Sequence, residues 1–273
     1  MKAGSQGDHN MLIGKPGLPS TSLCTADAIT IEIRGHDLCR DLMGRLSFTE
    51  FFYLLMTGRE ANADQRFFLD LLLVAIAEHG LTPTAQAARM TYDAAPDSLQ
   101  GALAAGLLGC GTVVLGTAEL CGKVLADARS RIVGGEDVDN AVNVITQDIR
   151  KSGGKMPGFG HPLHRPVDPR AERILDLADI RKISGPHVDL ARRFTPAVAK
   201  VWGKPLPMNV SMAIAAVLLD LEFPPAMIKA IPLLARAGGL LAHLAEEQAN
   251  PIGFLMASKG EAAIAYRRPG DGS

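Results

Sequence analysis

Residues 101–118 carry no charged side chain for 18 positions, and five of those positions are glycine. A helix that faces water needs a polar stripe, so a stretch that is apolar all round has to be packed all round. Its length is close to that of a membrane span. However, Gly and Ala supply much of it, leaving few large side chains to face lipid. The reading is therefore a central helix, or a broken pair of helices, packed inside the protein or at a subunit interface. With 273 residues, 47% of them apolar, the chain can bury a full core around this stretch, in one large domain or two unequal ones.

The flanking sequence predicts helices almost throughout. Residues 29–34 (ITIEIR) alternate weakly and predict one short strand. Leu38, Leu42, Met43 and Leu46 then recur at helical spacing, and Ser47 with Glu50 reads as a capping box ahead of FFYLLMTG. Further helices are expected over 64–78, 84–90, 115–129, 137–151, 169–179, 188–201, 210–221 and 226–247. Thr82-Pro83, Asp97-Ser98, Asp137 and Asp168-Pro169 supply start signals. No βαβ alternation appears, which excludes a nucleotide-binding parallel sheet. The fold expected is all-α.

Residues 1–25 are rich in Gly, Pro and Ser and are expected to be loosely held. Their lack of an apolar h-region gives no secretory signal, so a cytoplasmic location is expected. Lys and Arg number 28 against 29 Asp and Glu, a net charge of −1. No field of either sign draws the chain to nucleic acid or to an anionic membrane. The four cysteines show no C-x-x-C pairing, and no metal site is expected. Cys110 and Cys121 lie among small apolar residues and read as buried thiols.

The densest chemistry lies in residues 155–173, KMPGFGHPLHRPVDPRAER. Gly158 and Gly160 flank Phe159 and permit a left-handed backbone or a close approach to a ligand. His161 follows, then His164, Arg165 and Arg170, on a segment that Pro162, Pro166 and Pro169 keep out of regular helix. A histidine on a rigid turn beside two guanidiniums suits proton transfer on an anionic, oxygen-rich substrate. A solvated loop whose Arg and Asp simply pair is the alternative, and composition does not separate the two.

GFGHPLHRPVDPRA resembles the catalytic loop of the citrate synthase superfamily, roughly GFGH followed by DPRA. Residues 31–58, EHGLTPT at 78–84 and LLARAGGLLAHLAEE at 233–247 resemble that family's RGYD…LSFEE…LLLTG stretch, its DHG segment and its last long helix. The wording RGHDL…EHGLTP…SLQGALAAGLLGCG is most similar to the compact citryl-CoA lyases. The resemblance implies a large helical domain, 1–116 with 213–273, and a smaller inserted helical domain, 117–212. It also implies a homodimer packed through helices in 97–129, a coenzyme A thioester as substrate and no covalently bound cofactor.

The resemblance also assigns roles. His161 is implied as catalytic. His79, which by itself could equally cap a helix end, is implied to be catalytic and to hydrogen-bond the oxaloacetate part. Arg170 and Arg236 are implied to hold substrate carboxylates. Arg236 lies in an apolar stretch, where an unpaired charge is costly, so either an internal acid or a ligand must meet it. Arg165, with Gly158 and Gly160, is implied on the coenzyme A side, while His243 reads as a packing histidine.

Two positions depart from the family. Thr112 falls roughly where a second catalytic histidine is expected, and Ser211 replaces the Asp of an NVD segment. Serine cannot take a proton from a carbon acid at useful rate. Cleavage of citryl-CoA, or of a similar 3-hydroxy-acyl-CoA, to acetyl-CoA and oxaloacetate is the expected reaction. The alternatives are a citrate synthase-type acyltransferase and a weakened dicarboxylate- and CoA-binding protein.

Overall fold

The computed structural model describes residues 20–269, and the chain divides into two compact units, 1–60 and 61–273. Most of the stretch expected to be loose, residues 1–19, lies outside the described residues.

In the first unit the single expected strand becomes a three-stranded antiparallel sheet of β1 (Cys24–Ala26), β2 (Ile31–Ile33) and β3 (His36–Asp37). Thr25 stands opposite Glu32, and Ile33 opposite His36. Arg34 and Gly35 both take positive φ (51° and 83°), the two-residue turn whose twist suits a hairpin. The apolar spacing after Gly35 yields only a single π turn over Leu38–Leu42, with Asp37 accepting from the Cys39 and Arg40 amides. The capping box forms as expected. Ser47 accepts from the Glu50 amide and Glu50 from the Ser47 amide, starting α1 (Phe48–Thr57).

The second unit is helical among its described residues: α2 (Ala63–Ala77), α3 (Pro83–Ala94), α4 (Leu99–Leu108), α5 (Thr117–Val133), α6 (Val138–Lys151), α7 (Pro169–Ile180), α8 (Pro186–Trp202), α9 (Val210–Asp220), α10 (Ala230–Ala249) and α11 (Gly253–Ala262). The charge-free stretch is α4 from Gly101 onward, the connection 109–116 and only the first two residues of α5. Ser98 is the N-cap residue of α4, but its side chain makes no capping bond there.

α2, α3, α4 and α10 pack together, and α9 packs on α5, α7 and α8. α9 is buried from Met212 to Leu219 on every face. Each large apolar side chain there contributes roughly 1.5–3 kcal/mol relative to exposure. Residues 225–249 have the length and hydropathy of a membrane span, yet they include Arg236 and form α10, packed on three helices. Gly239 permits that packing, because a Cβ at this position would fall on the Ala77 carbonyl oxygen at the end of α2.

α8 has glycine, Gly185, at its N-cap and so no side chain of its own to cap with. Asp220, the last residue of α9, does the job from a distance. It accepts from the Gly185, His187 and Val188 amides and contacts His187 Nδ1 at 2.8 Å. Burial alone would raise the Asp220 carboxyl; these donors outweigh it and hold the group below the ordinary carboxylate range. Asp220→Ala should therefore cost about 1.5–3 kcal/mol, the scale of hydrogen bonds to a charged group. Urea unfolding tests this, and an unchanged midpoint would show that the cap contributes nothing.

Candidate active site

Helix α2 ends at Ala77, and Glu78 turns extended (φ −130°, ψ 142°), so His79 lies beyond the helix and does not cap it. Gly80, at φ 77°, completes the turn. His79 faces His161 and His164, with ring centroids 5.5 Å from each. His161 and His164 stack at 4.3 Å with 27° between their planes. One ring nitrogen from each of the three lies within 4.8 Å of the other two.

The loop is held by main-chain bonds to the approach of α9. The Gly160 amide donates to the Pro207 carbonyl (2.7 Å), and the Asn209 amide donates to the Gly158 carbonyl (2.8 Å). Asn209 Nδ2 donates to the Gly160 carbonyl, and its Oδ1 caps α9 at the Ser211 amide. Gly158 and Gly160 both take positive φ (79° and 84°). A Cβ on Gly158 would meet Met212 and Cys121, so this glycine is needed for close packing. With these main-chain groups committed to 207–209, the two glycines position the histidines.

His161 Nδ1 accepts from two backbone amides, Leu163 at 3.1 Å and His164 at 3.0 Å. A nitrogen accepting two N–H bonds carries no proton, so the neutral ring has its proton on Nε2. Burial pushes His161 below the ordinary imidazole value and the charge on His164 adds to that, while Asp168 opposes it. Burial also lowers His79, helped by Arg170, His164 and Arg236.

Asp168 is 0% exposed. It accepts from Arg170 Nε (3.1 Å) and Nη2 (2.9 Å), from the Arg170 amide that starts α7, and from the Val210 amide that starts α9. Burial alone would raise its pKa, but Arg170 and these amides hold it down. The clamp sets Arg170 Nη2 3.4 Å from His161 Nε2. Arg236, on α10, is 3% exposed, and its Nε and Nη1 find no hydrogen-bond acceptor among the described residues.

The structure thus groups His79, His161 and Arg170 and places Arg236 close enough to His79 to lower it. Arg165 is exposed. Thr112 sits on the exposed connection between α4 and α5, and Ser211 is half-buried in the first turn of α9. His243 is no packing histidine: it lies between Arg89 Nη1, 3.2 Å from its Nδ1, and the Glu78 carboxylate, 3.0 Å from its Nε2. The sequence left His164 without a role and did not reveal the Asp168 clamp, although DPR at the start of a helix is a local signal for such a pair. Cys110 and Cys121 are buried as expected.

The three histidines are the one group among the described residues spaced to hold a metal ion. Three atoms no more than 4.8 Å apart share a point no more than about 2.8 Å from each, a hydrogen-bond distance to oxygen. The Arg170 guanidinium, 3.4 Å from His161 Nε2, repels a cation and attracts an anion. The spacing suits an oxygen atom of an anion.

Residues 20–254 match the family model described as citrate synthase, C-terminal domain. The chain is 32% identical over 162 residues to a mitochondrial 2-methylcitrate synthase of Emericella nidulans, covering 56% of this chain and 35% of that protein. It is 26% identical over 212 residues to the citrate synthase of Saccharolobus solfataricus, covering 73% and 52%. The chain therefore spans a third to a half of the length of these curated relatives. The solved citryl-CoA lyase of Hydrogenobacter thermophilus superposes with a TM-score of 0.81 at 26% identity, over 94% of this chain and 97% of that one. An ATP citrate lyase of Methanothrix soehngenii, solved with citrate and coenzyme A, superposes at 0.75 and 19% identity, over 95% of this chain and 43% of that one.

Proposed function

Because the chain belongs to the citrate synthase family, we propose that it is a CoA-dependent carbon–carbon lyase. It cleaves citryl-CoA, or a similar 3-hydroxy-acyl-CoA, to acetyl-CoA and oxaloacetate. The observation that carries this reading is Arg236. A guanidinium that is 3% exposed with two nitrogens unmatched is a receptor for a ligand anion, because a buried charge without a partner is very costly. It stands with Arg170 around a histidine cluster that can surround one oxygen atom.

In cleavage the substrate hydroxyl gives up its proton and the C–C bond breaks. The bonding pair passes to the thioester α-carbon, and the resulting enolate is protonated to acetyl-CoA. His161, with Nδ1 held as an acceptor, presents Nε2–H as a donor to the oxygen that becomes the 2-oxo group. This role differs from that of a base on the hydroxyl. His79 adds a second imidazole, its ring centroid 5.5 Å from that of His161, and Arg170 and Arg236 hold carboxylates. Exposed Arg165 faces the phosphates of coenzyme A. Ser211 stands where a carboxylate is expected, so the proton taken up by the acetyl-CoA enolate has to be delivered by another group.

The test is oxaloacetate release from citryl-CoA, followed by coupled reduction to malate, beside a panel of other 3-hydroxy-acyl-CoA thioesters. Faster release of CoA from acetyl-CoA plus oxaloacetate would favour a synthase. Binding of oxaloacetate with no turnover of any thioester would favour a binding protein. The reading includes the division into residues 1–116 with 213–273 and residues 117–212. It also includes a homodimer through 101–116, where Leu108 and Val113 stand exposed. Light scattering should then report about twice the 28.9 kDa chain mass, and a monomer would remove the dimer from the reading.

A further inference from the structure

We propose that His164 is a catalytic residue: the proton acceptor for the substrate hydroxyl, which the three histidines hold between them. The assignment rests on the lyase reading above and on what each neighbouring group can still do. His161 is spent as a donor, because its Nδ1 accepts the Leu163 and His164 amides and its remaining proton is on Nε2. Asp168 is spent on Arg170 and on the first amides of two helices. Position 211, on the approach that holds the loop, is a serine. His79 reaches the cluster with Nε2 buried and without a hydrogen-bond partner among the described residues, and its burial, with Arg170 and Arg236, disfavours its protonation.

All three histidines are half-buried. His164 stacks its ring on His161 at 4.3 Å, with its centroid 5.5 Å from that of His79. Its backbone amide, not its ring, is what holds His161 in place. One residue therefore fixes the donor tautomer of His161 and brings a basic nitrogen to the same oxygen. An oxygen seated among the three rings receives the His161 Nε2–H bond while its own proton points to His164.

Cleavage then balances without an outside reagent. The O–H proton moves to His164, the C–C pair moves to the α-carbon, and the C=O bond forms. The proton on His164 is equal in number to the one the new methyl group needs, so the imidazole ends the cycle neutral.

The experiment compares wild type with His164→Gln, which keeps hydrogen-bonding capacity but cannot take up a proton. The expected result is a fall in kcat for citryl-CoA cleavage of roughly 10²–10⁴-fold, with KM changed by less than about threefold and partial recovery on adding free imidazole. His164→Tyr, which keeps a ring against His161, replaces Gln if the Gln variant melts early. Turnover within about tenfold of wild type in a folded variant overturns the assignment, as does a loss seen only in KM. If wild type itself cleaves no thioester, the lyase reading fails and the cradle is judged separately with oxaloacetate. In ¹⁵N spectra of the histidine rings, a shift of the His164 nitrogens on titration supports the cradle; unmoved His164 signals overturn it.

Discussion

His161→Ala should lower kcat for cleavage by roughly 10²–10⁴-fold, the span expected when a positioned proton donor is removed. The substitution deletes two functions at once: the Nε2–H aimed at the substrate oxygen and the acceptor that ties down the Leu163 and His164 amides. His161→Asn separates them. An Asn side chain can accept amides two and three residues ahead, as in an Asx turn, but does not reach the position of Nε2. The Asn variant should therefore keep the loop and lose the rate. A turnover near wild type in either variant would place the chemistry elsewhere. The ligand-free protein should also lose stability as pH falls below 6.5. Burial holds His161 and His79 below that value, so the unfolded chain binds protons that the folded site refuses. Replacing His161 should flatten that slope.

Arg236→Ala should weaken dicarboxylate binding by about 2–5 kcal/mol, roughly 30- to 5000-fold, the cost of truncating one member of a buried charge pair. The companion variant Arg236→Met carries a sharper expectation, because two effects then run in opposite directions. The free protein holds this guanidinium 3% exposed with Nε and Nη1 unmatched, an arrangement that destabilises it. Met fills comparable space without that penalty, so the ligand-free melting temperature should rise while calorimetric binding of oxaloacetate vanishes. Unchanged affinity would mean that the anion this arginine awaits is not the substrate. A lower melting temperature would mean that the guanidinium is already satisfied within the fold.

What could be read from the sequence was what is local. The Ser47–Glu50 capping box, Asp137 ahead of α6 and Asp168-Pro169 ahead of α7 each announce a helix within four residues, and each helix is there. The charge-free stretch foretold packing on all sides, but only Ala102, Gly106, Cys110, Gly116 and Ala118 are buried in it, while Leu108 and Val113 stand exposed. Its richness in glycine left open the break after α4. What could not be read is settled by partners far along the chain. α11 lacks a cap of its own. Glu247 accepts from the Ile252 and Gly253 amides and Asp93 from the Phe254 amide, so the helix is started from α10 and α3. Asp220 caps α8 in the same remote way. Among the site residues, GFGH and DPR pointed to His161 and Arg170. His164 carried no signal of its own, because only the fold of its loop stacks it on His161. His243 lost its packing role for a similar reason: Arg89 and Glu78 approach it from α3 and from beyond α2.

The loop that carries His161 is stitched to residues 207–209 by two main-chain bonds and by the Asn209 side chain, with Gly158 packed against Met212. Backbone bonds are indifferent to which side chain follows. Position 211 enters this frame only through its amide, which donates to Asn209 Oδ1, so its side chain can be exchanged while the stitching holds. The same indifference makes the position an entry point for redesign, since a new group at 211 arrives at an address already surveyed by the chain.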